Sequence, residues 1–116
     1  METVGRLDQI ADTVLTVERL PGRAGLRVSG EVDVSTSDEW AQVLAALRTT
    51  DAPGRLDLSG LSFIDVRGVA SLVETARRLP SGQLSLYRPP MCLRRTLEVV
   101  WTDEMDHVVI EDEEAE

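Results

Sequence analysis

The sequence predicts a small single-domain α/β sandwich, a mixed four- to five-stranded sheet with helices packed on one side. Three observations point to it. Segments of alternating apolar and polar residues are interleaved with segments whose apolar residues recur every three to four positions, in the order strand, strand, helix, strand, helix, strand, helix. The gap between the first two strands is too short for a crossover, so they form an antiparallel hairpin, while helices connect the later, parallel strands. The chain has 116 residues, 42% of them hydrophobic, enough for one core and too few for two ordinary domains. Neither a repeat nor a linker divides it.

Each element follows from local pattern. Val14 to Arg19 alternates, with Val14, Thr16 and Glu18 on one face and Leu15, Val17 and Arg19 on the other, and Pro21-Gly22 turns the chain. Leu26 and Val28 carry a second strand toward Gly30, and a loop is expected from Glu31 to Ser35. Thr36-Ser-Asp-Glu39 has the form of a capping box. Trp40, Val43, Leu44 and Leu47 then mark the buried stripe of a first helix, ended by Asp51-Ala-Pro-Gly54. Leu56 and Leu58 form a short third strand. Asp65 is placed as the N-cap of a second helix with Val69, Leu72, Val73 and Ala76 on its inner face, terminated by Pro80-Ser-Gly82. Gln83 to Arg88 alternates again, and Pro89-Pro90 stops that strand and presets a third helix with Leu93, Leu97, Val100 and Trp101 buried. Val108 to Ile110 adds an edge strand. The domain is expected to span residues 1–110, with Glu111-Asp-Glu-Glu-Ala-Glu116 a disordered acidic tail.

Composition excludes several functions. A net charge of −9 disfavours nucleic acid and anionic membrane surfaces, both of which attract basic faces. No apolar run approaches membrane-spanning length, and Met1-Glu-Thr-Val-Gly-Arg6 has no secretory character, so a cytoplasmic location is expected. The lone Cys92 has no disulfide partner and, with His107 the single histidine, no metal cluster is expected. Gly54 and Gly60 are not a phosphate cradle, because the chain contains no lysine. No nucleophile has an evident base, so neither enzymatic activity nor a cofactor is expected. Aromatic residues make up only 3%, so Leu, Val, Ile and Ala build the core with Trp40, Phe63 and Trp101 as large fillers. His107 is expected at the surface and Cys92 as a small filler.

One turn departs from ordinary helix chemistry. Arg67 puts a cation in the first turn of the second helix, opposing its dipole by ~0.3–1 kcal/mol, and Gly68 costs about another 1 kcal/mol relative to alanine. Two adjacent local penalties mark a candidate site.

Leu58-Ser-Gly-Leu-Ser-Phe-Ile-Asp-Val-Arg-Gly-Val69, with the upstream Val28-Ser-Gly-Glu-Val-Asp33, resembles the STAS domains typified by bacterial anti-sigma-factor antagonists. The resemblance covers nearly the whole chain and implies the sandwich described above. It also implies that Gly30, Glu31 and Asp33, which match the family's Gly-Glu-Leu-Asp, join Asp65, Val66, Arg67 and Gly68 in binding a partner. That partner would be an anti-sigma factor or related serine kinase-like protein, which supplies the ATP. The family's phosphorylated serine corresponds to Val66, and the next position, often hydroxylated, is Arg67. Phosphorylation at this loop is therefore not expected, and Ser59, Ser62 and Ser71 are poorly placed to substitute. Two alternatives stay open: a STAS scaffold subunit of another signalling or transport complex, and a small-anion-binding domain in which Asp33, Asp65 and Arg67 line a polar pocket. A monomer or weak dimer is expected.

Overall fold

Five strands form one sheet whose spatial order is the order of the chain: β1 (Thr16–Arg19), β2 (Leu26–Val32), β3 (Gly54–Ile64), β4 (Leu84–Tyr87) and β5 (Val108–Glu111). β1 and β2 are antiparallel, and every later pair is parallel. The computed structural model describes residues 15–21, 25–49 and 54–112. The expectations for Val14, Gly22 and residues 51–53 lie outside them. Helices α1 (Ser37–Arg48), α2 (Val66–Arg78) and α3 (Met91–Val100) make the crossovers, with 3-10 segments at Val34–Thr36 and Thr102–His107. Each crossover advances one strand in the same direction, so right-handed connections set the helices side by side on one face. α1 packs on α2, and α2 on α3.

Alternation along the strands separates two faces. Val28, Leu56, Leu58, Leu84 and Leu86 are fully buried beneath Trp40, Leu44, Leu72, Val73, Leu93 and Leu97 of the helices. The intervening residues make the opposite face polar. Arg27 on β2 donates from Nε to Oδ2 of Asp57 on β3 at 3.1 Å, and Arg55 pairs with Glu111 at 2.7 Å. Asp57 is buried, and its other oxygen accepts the Ser59 amide at 3.0 Å and the Ser59 hydroxyl at 2.7 Å. Burial alone would push the Asp57 carboxyl up; the Ser59 and Arg27 hydrogen bonds outweigh it and hold the carboxyl below its ordinary value.

Several sequence expectations are corrected. β2 continues through Gly30 and Glu31 to Val32, and β3 runs for 11 residues to Ile64. Gly30 and Gly60 lie inside these strands at irregular register: Gly30 has φ 116°, and a Cβ on Gly60 would fall 2.4 Å from the Ser29 hydroxyl oxygen on the paired strand. The capping box also lies three residues earlier than expected. Asp33 and Thr36 form it around the 3-10 turn, whereas Thr36 makes no side-chain cap to α1. Thr36 is 2% exposed and donates its hydroxyl to the Glu31 carbonyl at 2.7 Å, which ties the end of β2 to α1.

In α3, Leu93 and Leu97 are buried, but Val100 is exposed and Trp101 only half-buried. Phe63 is exposed rather than a core filler. His107 is half-buried, and its Nδ1 lies 2.7 Å from the Gly82 carbonyl, which can only accept, so Nδ1 carries the proton. Cys92 packs against the edge of the core. The proposed boundary at residue 111 falls inside β5: Glu111 is its last residue, and Asp112 pairs with Arg94. The rest of the expected tail, 113–116, lies outside the described residues.

Gly68 seats α2 on the sheet. A Cβ there would meet Val32 Cγ1 at 2.7 Å and Ile64 Cγ1 at 2.8 Å, both on stiff, branched, buried side chains. This close approach explains a glycine in the first turn. Overpacking against two buried branched side chains costs roughly 1–3 kcal/mol against the ~1 kcal/mol that alanine gains in helix propensity, so Gly68→Ala should lower stability by up to ~2 kcal/mol in urea unfolding. Asp57 generates a second expectation. Its folded pKa is depressed, so its contribution is present above the ordinary carboxylate pKa of about 4 and is lost as pH falls through the folded value. Asp57→Asn should therefore flatten the acid limb of a stability profile measured from pH ~6 down to ~2.

Candidate functional site

Parallel pairing delivers the ends of β2 and β3 to the same edge of the sheet. Glu31 lies opposite Phe63 and Val32 opposite Ile64, and the Asp65 amide donates to the Val32 carbonyl at 3.0 Å. The chain leaving β2 and the turn entering α2 thus form a single seam. All seven residues picked out in the sequence lie along it or beside it.

Two aspartates shape the seam by satisfying backbone donors. Asp65 Oδ1 accepts the Gly68 amide at 2.8 Å, which makes Asp65 the N-cap of α2 as the sequence predicts. Asp33 Oδ1 accepts the Ser35 hydroxyl at 2.6 Å and the Ser35 amide at 2.9 Å. The Ser35 hydroxyl, with the neighbouring amides, holds the Asp33 carboxyl below its ordinary value. Gly30 sits at the bulge, its carbonyl accepting the Ser62 hydroxyl at 3.1 Å. Glu31 is half-buried, next to it.

The indole Nε1 of Trp40 donates to the Gly68 carbonyl at 3.0 Å, and Trp40 is 2% exposed. This bond joins α1 to the first turn of α2. What the seam presents outward is unlike its base: Val34 is 75% exposed, Val66 58% and Phe63 42%, with the exposed Arg67 beside Val66. Sequence analysis singled out Val66 and Arg67 but missed Val34 and Phe63. Phe63 was concealed by the irregular register of β3, where Leu61 and Ile64 turn inward while Ser62 and Phe63 face out. Val34 carried a signal, as an isolated apolar residue between Asp33 and Ser35.

A cavity of about 450 Å³ runs from the seam into the cleft between α1 and α2. Asp33, Asp65 and Arg67 do line one cavity, together with Trp40 and Thr75. Both aspartates, however, are committed to capping. Neither Val66 nor Arg67 offers a hydroxyl to a phosphate donor. Among the described residues no group of three or more His, Cys, Asp or Glu could hold a metal ion, and no helix is long and apolar enough to cross a membrane.

Known proteins agree with this architecture. A crystal structure of an anti-sigma factor antagonist from Mycobacterium paratuberculosis is similar with a TM-score of 0.67 at 22% sequence identity, covering 86% of each chain. At that identity the likeness establishes the fold. No curated protein matches the sequence significantly. A family model described as "Mlab, STAS domain" matches residues 15–110, from the residue before β1 into β5. With a match that takes in all three crossovers and reaches into the last strand, the chain belongs to the STAS domain family.

Proposed function

We propose that the protein is a non-enzymatic binding module of the cytoplasm, an anti-sigma-factor antagonist that docks an anti-sigma factor or related serine kinase-like protein and so frees a sigma factor. The observation that carries this reading is the exposed seam, where Val34, Phe63, Val66 and Arg67 stand at the ends of β2 and β3 on a base held by the Asp33 and Asp65 caps. Apolar side chains beside an arginine are the composition of an interface centre. The caps fix the backbone beneath them, so little ordering entropy opposes association. Gly30, Glu31, Asp33, Asp65, Val66, Arg67 and Gly68 form the contact.

In related antagonists a phosphoserine adds a charge of about −2 to this turn and switches docking off. Val66 occupies that position here as the first residue of α2, so the surface stays in its docking state without a phosphorylation step. The family description names MlaB rather than an antagonist, which favours as second reading a scaffold subunit that uses the same seam in another complex.

Substitutions at the turn separate docking from folding. Val66→Glu should keep its melting temperature, because an acid suits the first turn of a helix, yet weaken partner binding at least about tenfold, or ~1.4 kcal/mol. Arg67→Ala should weaken binding by a similar factor. With kinase and ATP the wild type should remain unphosphorylated at this turn, while Val66→Ser, Arg67→Ser supplies the missing hydroxyl. Folded Val66→Glu and Arg67→Ala proteins that bind the partner as tightly as wild type would remove the seam from the interface.

A further inference from the structure

We infer that the cleft between α1 and α2 is a binding site for a small amphipathic anion, an apolar body carrying a carboxylate or similar group. Its volume of about 450 Å³ lies within the range of small-molecule sites. It also extends well past the docking turn. Thr75 lies nine residues beyond Val66 on α2, ~13 Å along the helix axis.

Three observations define the ligand. Leu44 and Trp40, both buried, supply an apolar wall, and the Trp40 indole nitrogen is already occupied by the Gly68 carbonyl. Arg48 and Arg67 stand at the cleft, and among the described residues neither guanidinium has an ion pair or hydrogen bond. The same lining holds three carboxylates, but Asp33 and Asp65 are engaged by backbone amides at the caps, and Arg48 and Arg67 are left without an ion pair among the described residues. The acid nearest to them on α2, Glu74, is already engaged by Arg77 at 2.6 Å and Arg78 at 2.6 Å. Finally, Thr75 is 6% exposed, lines the cleft, and its hydroxyl makes no hydrogen bond among the described residues. Its hydroxyl is not a buried orphan but opens onto the cleft, where it is available to a group bound there. An apolar wall, an accessible hydroxyl and two arginines without a partner among the described residues together suit an amphipathic anion; a neutral apolar molecule would leave the arginines unused.

This inference is tested on the protein alone, so its outcome is independent of the docking reading. Decanoate would be titrated into isotopically labelled protein, with decanol and inorganic phosphate as controls for the body without the charge and the charge without the body. Decanoate should give saturable shifts at the Trp40 indole N–H and the Thr75 methyl, and both controls should bind at least about tenfold more weakly. Arg48→Ala and Arg67→Ala, both exposed and so expected to fold normally, should each weaken decanoate several-fold. Thr75→Val, which keeps the shape and removes the hydroxyl, should weaken it by a smaller factor. Decanol binding as tightly as decanoate, shifts confined to residues outside the cleft, or an Arg48→Ala, Arg67→Ala double variant with unchanged affinity would overturn the assignment.

Discussion

The hydrogen bond from the Asp65 amide to the Val32 carbonyl closes the β2–β3 pairing at the point where both strands leave the sheet, and the candidate site is built outward from it. Held there, Asp65 turns its carboxylate onto the Gly68 amide and starts α2. Gly68, having no Cβ, lets the helix settle against Val32 and Ile64 and offers its carbonyl to the Trp40 indole of α1. One backbone bond thereby sets the relation between two strands and two helices. The remaining surface residues, Val34, Val66 and Arg67, carry no structural duty of comparable weight, which leaves their side chains free for recognition.

The two faces of the sheet solve different problems. Beneath the helices the core is almost wholly aliphatic, and packing supplies its stability. On the other face β3 buries Asp57, a group that costs free energy to desolvate and is tolerated because Ser59 and Arg27 satisfy both of its oxygens. Parallel pairing places Arg27 directly opposite Asp57, so the pair also marks the register on which the seam depends. A slip of one residue would separate them and would carry Glu31 away from Phe63.

Much of the fold was legible because its strongest signals are periodic. The stripe Trp40, Val43, Leu44, Leu47 is buried as predicted, and Asp65 is a cap because a short carboxylate before an apolar-periodic run can do little better elsewhere. Errors fell where tertiary pairing overrode local chemistry. Local pattern carries the second strand only toward Gly30 and the third only over Leu56 and Leu58, yet the paired strands continue through Gly30 and Gly60 with irregular register and close approach. Thr36 looked like the α1 cap, but its hydroxyl oxygen accepts the Asp33 amide while the hydroxyl donates to the Glu31 carbonyl, leaving Asp33 to begin the turn. At the site, the family resemblance located the loops, while exposure of Phe63 and Val34 required coordinates. The penalty at Gly68 proved to be packing, which no helix propensity reveals. The cost at Arg67 has no such structural return; with Val66 it presents an exposed side chain at the turn.

The most direct test is to map the interface residue by residue. Titrating the isotopically labelled protein with a purified anti-sigma kinase-like protein from the same organism, and following each backbone amide, reads the docking surface without altering it. The account predicts that the largest saturable changes fall on Glu31, Asp33, Val34, Val66 and Arg67, at the ends of β2 and β3. Changes concentrated instead on the polar sheet face around Arg27 and Asp57, or on α3, with the seam unaffected, would contradict it.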